Sequence, residues 1–206
     1  MGRYIGPKNK IARRFGVNLG LKTNAAKVSR RLTQRPGVHG ATRPKSLSSY
    51  GKQLVEKQKA KFIYGLRERQ FRSYANEANR REGDSGRNLQ EILEARLDNV
   101  VYRMGFAITR AQARQFVNHG MFTVNDKKIG IPSYLVKVGD VVKIKDNKAK
   151  KSLFHDITDR LSQATTPSWL VVDPIKKEGK VVSKPVEEDL DKIFDVTLII
   201  EYYSTR

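Results

Sequence analysis

The residues suited to acid–base or metal chemistry are few and scattered along this 206-residue sequence. His39, His119 and His155 lie far apart and there is no cysteine, so neither a histidine-built metal site, a zinc ribbon nor a thiol nucleophile is predicted. Asp156 and Asp159 lie three residues apart beside His155, a pattern more typical of charges at a helix end than of a catalytic site. The phosphate-binding loop, the dinucleotide-binding glycine motif, the zinc-protease motif and the nucleophile elbow are all missing. The sequence therefore predicts no cofactor, no metal and no enzymatic activity.

The residues around Asp98 partly match a known catalytic motif. Arg96-Leu97-Asp98 resembles the G-R-L-D-x-x-T-x-G loop of pseudouridine synthases, in which the aspartate is the nucleophile. In this chain, residues 99–102 follow without Thr-x-Gly, and the motif falls within the apolar periodicity of an amphipathic helix. We therefore expect Asp98 to form an ion pair with a neighbouring arginine that steadies a basic surface.

The distribution of charge points to a polyanionic partner. The chain has 41 Lys+Arg against 21 Asp+Glu, a formal net charge of +20. Residues 1–55 contain 13 basic residues and no acidic ones, and residues 1–90 carry +17 against +3 for residues 91–206. Such a charge suits a nucleic acid or an anionic membrane surface. We expect an intracellular protein, because the sequence has neither an 18-residue apolar run nor an apolar signal region.

Glycine, proline and apolar periodicity divide the chain. Residues 1–46 are predicted to be an irregular basic arm that becomes ordered on nucleic acid. Helices are predicted at about 48–64, 67–82 and 88–104, with Gly105 as the terminating residue of the last.

A fourth helix and then a series of strands follow, and in the strands apolar residues alternate with polar ones. Thr109 and Gln112 form a capping box for a helix that ends at Gly120. A strand–turn–strand with its turn at Asn125-Asp126 comes next. Further strands are predicted for SYLVKV, VVKIK, WLVVD, KVVSK and VTLIIEYYS, and helices for residues 152–163 and for EEDLDKI. The predicted fold class is α+β, with a basic N-terminal arm, a helical domain, and a module of two helices plus a small antiparallel sheet.

Candidate RNA contacts are cations that neutralise phosphates, with interleaved aromatic and amide side chains that contact bases. Phe62 and Phe71 are expected to pack in the core, whereas for Tyr50 and Tyr64 core packing and base stacking both stay open. The basic face of the capped helix, opposite its apolar face, is included because it can track folded RNA. The predicted RNA-binding residues are Arg3, Lys8, Lys10, Arg13, Arg14, Lys22, Arg30, Arg31, Arg35, Tyr50, Lys52, Gln53, Lys57, Lys59, Lys61, Tyr64, Arg67, Arg69, Gln70, Arg72, Arg103, Arg110, Arg114, Asn118 and His119.

Residues 96–134, RLDNVVYRMGFAITRAQARQFVNHGMFTVNDKKIGIPSY, closely resemble the RNA-binding module of the S-four family of small-subunit ribosomal proteins. The module also occurs in tyrosyl-tRNA synthetases and pseudouridine synthases. Five further stretches resemble bacterial members of the ribosomal family: RYIGPKNKIARR, PGVHG, SYGKQLVEKQKAKFIYGLRERQF, PSWLVVD and EYYS. The resemblance covers nearly the whole chain, which is therefore identified as a member of that family.

The resemblance implies a primary binder of small-subunit rRNA. Family members clamp a helix junction in the 5′ domain, nucleate subunit assembly, line the mRNA entry channel beside proteins of the S-three and S-five families, and influence translational accuracy. Arg43 and Lys45 match the positions implicated at the mRNA entry. The implied location is the small ribosomal subunit in the cytoplasm. Many relatives bind a metal through cysteines in the N-terminal arm, and this chain has no cysteine.

The acidic C-terminal region is the candidate face for a neighbouring protein, with Glu187, Glu188, Asp191 and Glu201 as its candidate residues.

The predicted domains are an arm at 1–46, a helical rRNA-binding domain at 47–87 and a second domain at 88–184. The second domain contains the RNA-binding module at about 96–160. The resemblance implies that the first domain is discontinuous and is completed by residues 185–206. Two other interpretations remain open: an RNA-modifying enzyme that uses the same module, and a general DNA-binding protein.

Overall fold

A computed structural model describes residues 4–42, 46–149 and 151–204 of the chain. The chain folds as two units: the first comprises residues 1–90 with 191–206, and the second comprises residues 91–190. None of the described helices is both long enough and apolar enough to cross a bilayer.

The elements alternate little: helices come first and most strands later, which confirms the predicted α+β class. In chain order they are α1 (Lys8–Phe15), α2 (Ala25–Ser29), a 3-10 turn (Val38–Ala41), α3 (Ser49–Ile63), α4 (Glu68–Arg80), α5 (Ser85–Glu94), α6 (Leu97–Arg103), α7 (Arg110–Asn118), β1 (Phe122–Val124), β2 (Lys127–Lys128), β3 (Val141–Ile144), α8 (Asp146–Ala149), a 3-10 turn (Ser152–Phe154), α9 (Ile157–Gln163), β4 (Leu170–Asp173), β5 (Glu178–Val181), a 3-10 turn (Glu187–Asp189) and α10 (Val196–Ser204).

The first unit is built around α3, against which α10 packs, and α10 also touches α4. Ser48 caps α3 by accepting a hydrogen bond from the Gly51 N–H at 3.2 Å. Gly65 ends the helix in the left-handed region (φ 61°), a conformation that favours glycine. The rings of Phe71 and Tyr203 lie 6.1 Å apart, so that α4 and α10 share one core.

The prediction that residues 1–46 are irregular is wrong at α1, α2 and the 3-10 turn Val38–Ala41, whereas the other described residues of that segment lie outside helices and strands. Proline lacks the N–H that a helix start leaves unpaired, and Pro7 (φ −65°) stands at the N-cap of α1. Ile11 and Leu19 are buried there. Asn24 caps α2 by accepting the Lys27 N–H at 2.9 Å. Local capping and a few apolar anchors therefore support the folded parts of the segment.

The last predicted strand is also wrong, because VTLIIEYYS forms the helix α10. Its β-branched residues favour a strand when judged by propensity alone. Ile199, Tyr202 and Tyr203 nevertheless recur at helical spacing, and all three are buried. Packing against α3 overrides the local preference.

The second unit contains an antiparallel sheet of five strands in the order β2-β1-β3-β5-β4. Its core is formed by α6, α7, α9 with the 3-10 turn before it, and one face of the sheet, and it includes Val100, Phe116, Phe122, Phe154 and Trp169. The predicted turn between β1 and β2 is confirmed. Asn125 (φ 48°) and Asp126 (φ 62°) both have positive φ, the signature of a type I′ hairpin turn.

The predicted helix at 88–104 is interrupted. Arg96 is extended (φ −66°, ψ 135°), which separates α5 from α6. The N–H groups of Leu97 and Asp98 then bond to the carbonyls of Tyr134 (2.8 Å) and Pro132 (3.2 Å). The predicted strand SYLVKV is reduced to a single bridge between Leu135 and Arg96, because this segment serves the helix break rather than the sheet.

Smaller differences concern element ends. The helix predicted at 152–163 is a 3-10 turn followed by α9, the strand predicted for KVVSK is β5 at Glu178–Val181, and the helix predicted for EEDLDKI is a 3-10 turn at Glu187–Asp189.

Candidate nucleic-acid interface

The N-terminal segment, residues 4–42, presents cations on an ordered scaffold. Lys8 and Arg13 are half-buried. The exposed predicted contacts are Lys10, Arg14, Lys22, Arg30, Arg31 and Arg35. Because the sequence has no carboxylate before Glu56, acidic side chains of the segment itself cannot compensate these charges. The segment is therefore a candidate surface for binding phosphates.

Arg13 holds the scaffold together rather than facing a ligand. Its Nε donates to the carbonyl of Gln34 at 2.8 Å and its guanidinium donates to that of Arg35 at 3.1 Å. The side chain therefore joins α1 to the loop about 20 residues further along, and it positions Arg35.

The cations of α3 and α4 differ in exposure. Lys52, Arg69, Arg72 and the α4 N-cap Arg67 are exposed. Lys59 is half-buried and bonds Glu56 at 2.7 Å. The predicted amides are also engaged: Gln53 donates to Glu201 at 3.1 Å and Gln70 to the Tyr74 hydroxyl at 3.2 Å.

Two predicted contacts are corrected by their burial. Lys57 is 3% exposed and bonds Glu68 at 2.8 Å, and Tyr64 is 4% exposed with its ring edge against Phe194. A phosphate cannot reach the first, and a base cannot stack on the second. Among the aromatic predictions, Phe71 is confirmed as core and Phe62 is half-buried, whereas Tyr50 is 44% exposed and stacks on Tyr202 at 5.8 Å.

Glu68 collects three donors at the junction of α3, α4 and α10. Burial acts to raise its pKa, but hydrogen bonds from Lys57, Tyr203 and Lys61 outweigh that effect and hold the pKa below its usual value. Burial and the bond to Glu68 raise the pKa of Tyr203 above its ordinary range. The ionised Glu68 carboxylate is therefore part of the folded structure of the first unit.

We expect this carboxylate to make the first unit acid-sensitive. A group whose pKa is lower in the folded state contributes stability above its unfolded pKa, about 4.3, and loses it as pH falls through the folded value. The urea-unfolding free energy, measured between about pH 3 and pH 7, should fall less steeply in Glu68→Gln than in the parent chain. Glu77→Gln is the control, because Glu77 pairs at the surface with Arg81, and a pH profile identical in both variants would contradict the assignment.

In the second unit, arginines of the basic face predicted on α6 and α7 form ion pairs with buried carboxylates. Glu94 is fully buried and accepts two hydrogen bonds from Arg103, both at 2.9 Å, and one from the Asn99 amide at 2.8 Å. The Nε of Arg110 donates to the side-chain amide oxygen Oδ1 of Asn99 at 2.8 Å, and its guanidinium lies over the Tyr102 ring at 4.6 Å. The network fixes both arginines in defined orientations.

Asp98 belongs to the same region and is held by two arginines. Arg96, fully buried, donates to both carboxylate oxygens at 3.1 and 2.8 Å, and Arg114 approaches to 3.6 Å. The predicted ion pair is therefore confirmed. A carboxylate enclosed in this way is 5% exposed and has no open face for attack on a base, which argues against a nucleophilic role.

The exposed end of α7 and the hairpin add cations that the sequence analysis missed. Asn118 and His119 are exposed. The side chain of Lys128 on β2 lies against Gly120, the residue that follows Asn118 and His119. Lys128 and Lys143 both pair with Thr123, so they share the sheet face away from the core. The alternation of lysine with buried Val142 and Ile144 was the available signal.

The remaining predicted residues are placed as follows. Arg3, Arg43 and Lys45 lie outside the described residues. Glu187 and Glu188 are exposed, Asp191 is half-buried, and Glu201 is exposed on α10. Within residues 4–42, 46–149 and 151–204, no group of three or more His, Asp or Glu side chains is placed to hold a metal ion.

Comparison with known proteins finds similarity to one family over nearly the whole chain. Residues 3–94 match the family model described as the ribosomal protein S4/S9 N-terminal domain, and residues 95–142 match the S4 domain. The chain is 50% identical to the small ribosomal subunit protein uS4 of Herpetosiphon aurantiacus, over 99% of this chain and 100% of that protein. It is 48% identical to the uS4 of Heliobacterium modesticaldum and 47% identical to that of Laribacter hongkongensis, with the same coverage.

The chain belongs to the uS4 family of small ribosomal subunit proteins. The boundary between the two uS4 family matches, at residues 94 and 95, coincides with the end of α5. The S4-domain match contains α6, α7, β1 and β2 and ends inside β3. It therefore contains Asp98, Arg103 and Arg110, while their neighbour Glu94 is the last residue of the preceding match.

Proposed function

We propose that this chain is a structural constituent of the small ribosomal subunit, which it enters by binding small-subunit rRNA, and that it is not an enzyme. The observation that carries the proposal is the set of exposed cations on residues 4–42, a stretch without a carboxylate. The ordered backbone of that segment supports it further, because cations on a fixed scaffold match the spacing of phosphates without a large ordering cost.

Two surfaces of the chain bind the rRNA. The first is the N-terminal segment with the exposed cations of α3 and α4. The second is the face formed by the end of α7 and the hairpin, including Asn118, His119, Lys128 and Lys143. Phosphate contacts of this kind fix position on folded RNA through shape and charge rather than through base sequence.

Finer roles follow from the family and are part of the proposal. The RNA target is a helix junction of the 5′ domain, and binding there nucleates subunit assembly. Arg43 and Lys45 act at the mRNA entry. The acidic residues Glu187, Glu188, Asp191 and Glu201 meet the neighbouring protein of the S-five family, and that contact influences translational accuracy, while a protein of the S-three family shares the lining of the mRNA entry channel.

Co-sedimentation tests the proposal directly. The full chain should travel with small ribosomal subunits through a moderate-salt wash and should bind protein-free small-subunit rRNA in preference to duplex DNA. Equal affinity for the two nucleic acids would contradict it. Formation of pseudouridine in the bound RNA would show an enzyme instead.

Binding should depend steeply on salt. The logarithm of the binding constant should fall linearly with the logarithm of salt concentration, because each neutralised phosphate releases a counterion. Replacing exposed Arg30 and Arg31 by glutamine should reduce the slope by roughly 1.4 to 1.8, at about 0.7 to 0.9 per contact. The double change Lys176→Gln and Lys192→Gln is the charge-matched control, because both lysines are exposed and lie outside the proposed surfaces. Filter binding across a salt series measures the slope, and identical slopes for the two variants would contradict the assignment.

A further inference from the structure

A groove in the first unit combines an apolar floor with two arginines. It has a volume of about 460 Å³, which lies within the roughly 300–1,000 Å³ typical of small-ligand pockets. Its lining residues are Arg14, Phe15, Arg35, Pro36, Leu47, Leu54, Val55 and Gln58. They come from the end of α1, from the loop after α2, from the residue before the α3 cap, and from α3.

Contacts with residues outside the groove stabilise its lining residues. Phe15 rests against Phe62, with ring centroids 6.1 Å apart, and Tyr4 meets the same Phe62 ring edge-on at 5.7 Å. On the opposite side, the two hydrogen bonds from Arg13 to the carbonyls of Gln34 and Arg35 fix the loop. A groove supported in this way is preformed, so that a ligand gains affinity without first ordering the walls.

The charge around the groove selects the class of occupant. Its described lining contains two guanidinium groups and no carboxylate, and the chain has no acidic residue before Glu56. The two guanidinium groups favour an anionic partner, and the apolar lining residues Leu47, Leu54 and Val55 suit a flat apolar surface. Phosphates alone would leave those apolar residues without a partner.

An unpaired nucleotide of RNA supplies both parts. Its base has apolar faces that stack on aromatic rings and on guanidinium planes, and phosphates flank it on either side. Gln58 provides an amide with both donor and acceptor atoms that can pair with a base edge. A paired base does not fit this description, because its faces and edge are occupied within the helix.

We propose that this groove binds the base of one unpaired rRNA nucleotide, with the flanking phosphates held by Arg14 and Arg35. The inference rests on the proposed function and makes it more specific: one surface otherwise assigned to phosphates also holds a base. The N-terminal segment then recognises an unstacked position in the RNA as well as the charge of its backbone.

Filling the groove in the full-length chain tests the proposal. Leu47 is 49% exposed and Val38 is 96% exposed outside the groove, so Leu47→Trp obstructs the site while Val38→Trp is its matched control. With in-vitro transcribed bacterial small-subunit rRNA as the probe, Leu47→Trp should bind roughly tenfold more weakly and Val38→Trp like the parent, given the energy of one base–aromatic stack. Circular dichroism confirms that both variants are folded.

Crosslinking supplies a second measurement that does not depend on affinity. Irradiation at short ultraviolet wavelength, followed by mass spectrometry, should join the parent chain to a nucleotide at the peptide containing Phe15. That crosslink should vanish in Leu47→Trp and persist in Val38→Trp. A charge-matched pair on α1 adds to this: Arg14→Gln should weaken binding more than Lys10→Gln, although each removes one positive charge.

The outcomes separate the two proposals. If Leu47→Trp and Val38→Trp bind equally and give the same crosslinks, the groove does not hold a base, although rRNA binding stands. A groove that accepts a segment of a neighbouring protein would give this same result and would also overturn the inference. If the parent chain itself shows no preference for small-subunit rRNA, the proposed function fails and the inference fails with it.

Discussion

Removal of residues 191–206 should unfold the first unit while the second unit keeps its structure. The deleted segment contributes Phe194, Ile199, Tyr202 and Tyr203, all at most 8% exposed. Truncating one such side chain typically costs about 2–5 kcal/mol, and a whole domain is stable by only about 5–15 kcal/mol. Loss of all four, at about 8–20 kcal/mol if the costs add, is as large as the whole stability of a typical domain.

Amide hydrogen exchange resolves the two units in one experiment. In the deletion variant, protection should be lost across α3 and α4 and retained across α6, α7 and the sheet. A graded pair of substitutions on α10 supports the same point: Ile199→Ala should lower the unfolding free energy by about 2–5 kcal/mol. Thr197→Ala, at an exposed position of the same helix, should change it little. Full protection of α3 in the deletion variant would show that α10 is dispensable.

The second large effect is expected at Asp98. Asp98→Ala leaves the guanidinium of Arg96, a fully buried side chain, without its bidentate partner. Breaking a buried ion pair from one side costs about 3–5 kcal/mol, because the remaining charge stays desolvated. The unfolding free energy of the second unit in urea should therefore fall by about 3–5 kcal/mol.

A double variant distinguishes this mechanism from loss of packing. Arg96→Leu combined with Asp98→Leu removes both charges, and it should be less destabilised than Asp98→Ala alone. Asp146→Ala is the surface control, because Asp146 pairs with Lys143 at 3.5 Å with its side chain 89% exposed, and it should change stability by less than about 1 kcal/mol. Additive costs at positions 96 and 98 would contradict the ion-pair explanation.

Local rules predicted the parts of the fold that local interactions decide. The Thr109 half of the capping box is confirmed, because Thr109 accepts the Gln112 N–H at 3.2 Å, whereas the Gln112 side chain accepts the N–H of Ile108, one residue before the N-cap, at 2.9 Å. The type I′ turn at Asn125-Asp126 and the termination at Gly105 (φ 84°) are confirmed for the same reason. In each case, neighbours within a few residues supply the stabilising contact.

Predictions failed where a distant residue decides the local structure. Nothing near Arg96 shows that the helix must break there, because the break depends on carbonyls of the segment around Pro132 and Tyr134. The helical state of α10 depends on α3, more than 130 residues earlier in the chain. Charge alone likewise placed Lys57 at the surface, although its partner Glu68 retains it inside.

In the candidate surfaces too, the sequence predicted what nearby residues decide and missed what distant residues decide. Counting charges located the basic segment, and the helical period located one face of α7. Neither method could show that Arg103 and Arg110 are tied to a network around Glu94, or that Lys128 and Lys143 share a sheet face. Those relations depend on strand register and on packing, which the sequence does not display.

The separation of α10 from the helices that it completes has a consequence for synthesis on the ribosome. Residues 1–90 emerge first, but their core lacks α10 until about 100 further residues have been translated. At roughly 5–20 residues per second, that delay is on the order of 5–20 s. The second unit, which is continuous in sequence, can fold during this interval. A nascent chain that stalls before α10 therefore carries its basic segment on an incomplete support, so that finished translation becomes a condition for firm attachment to RNA.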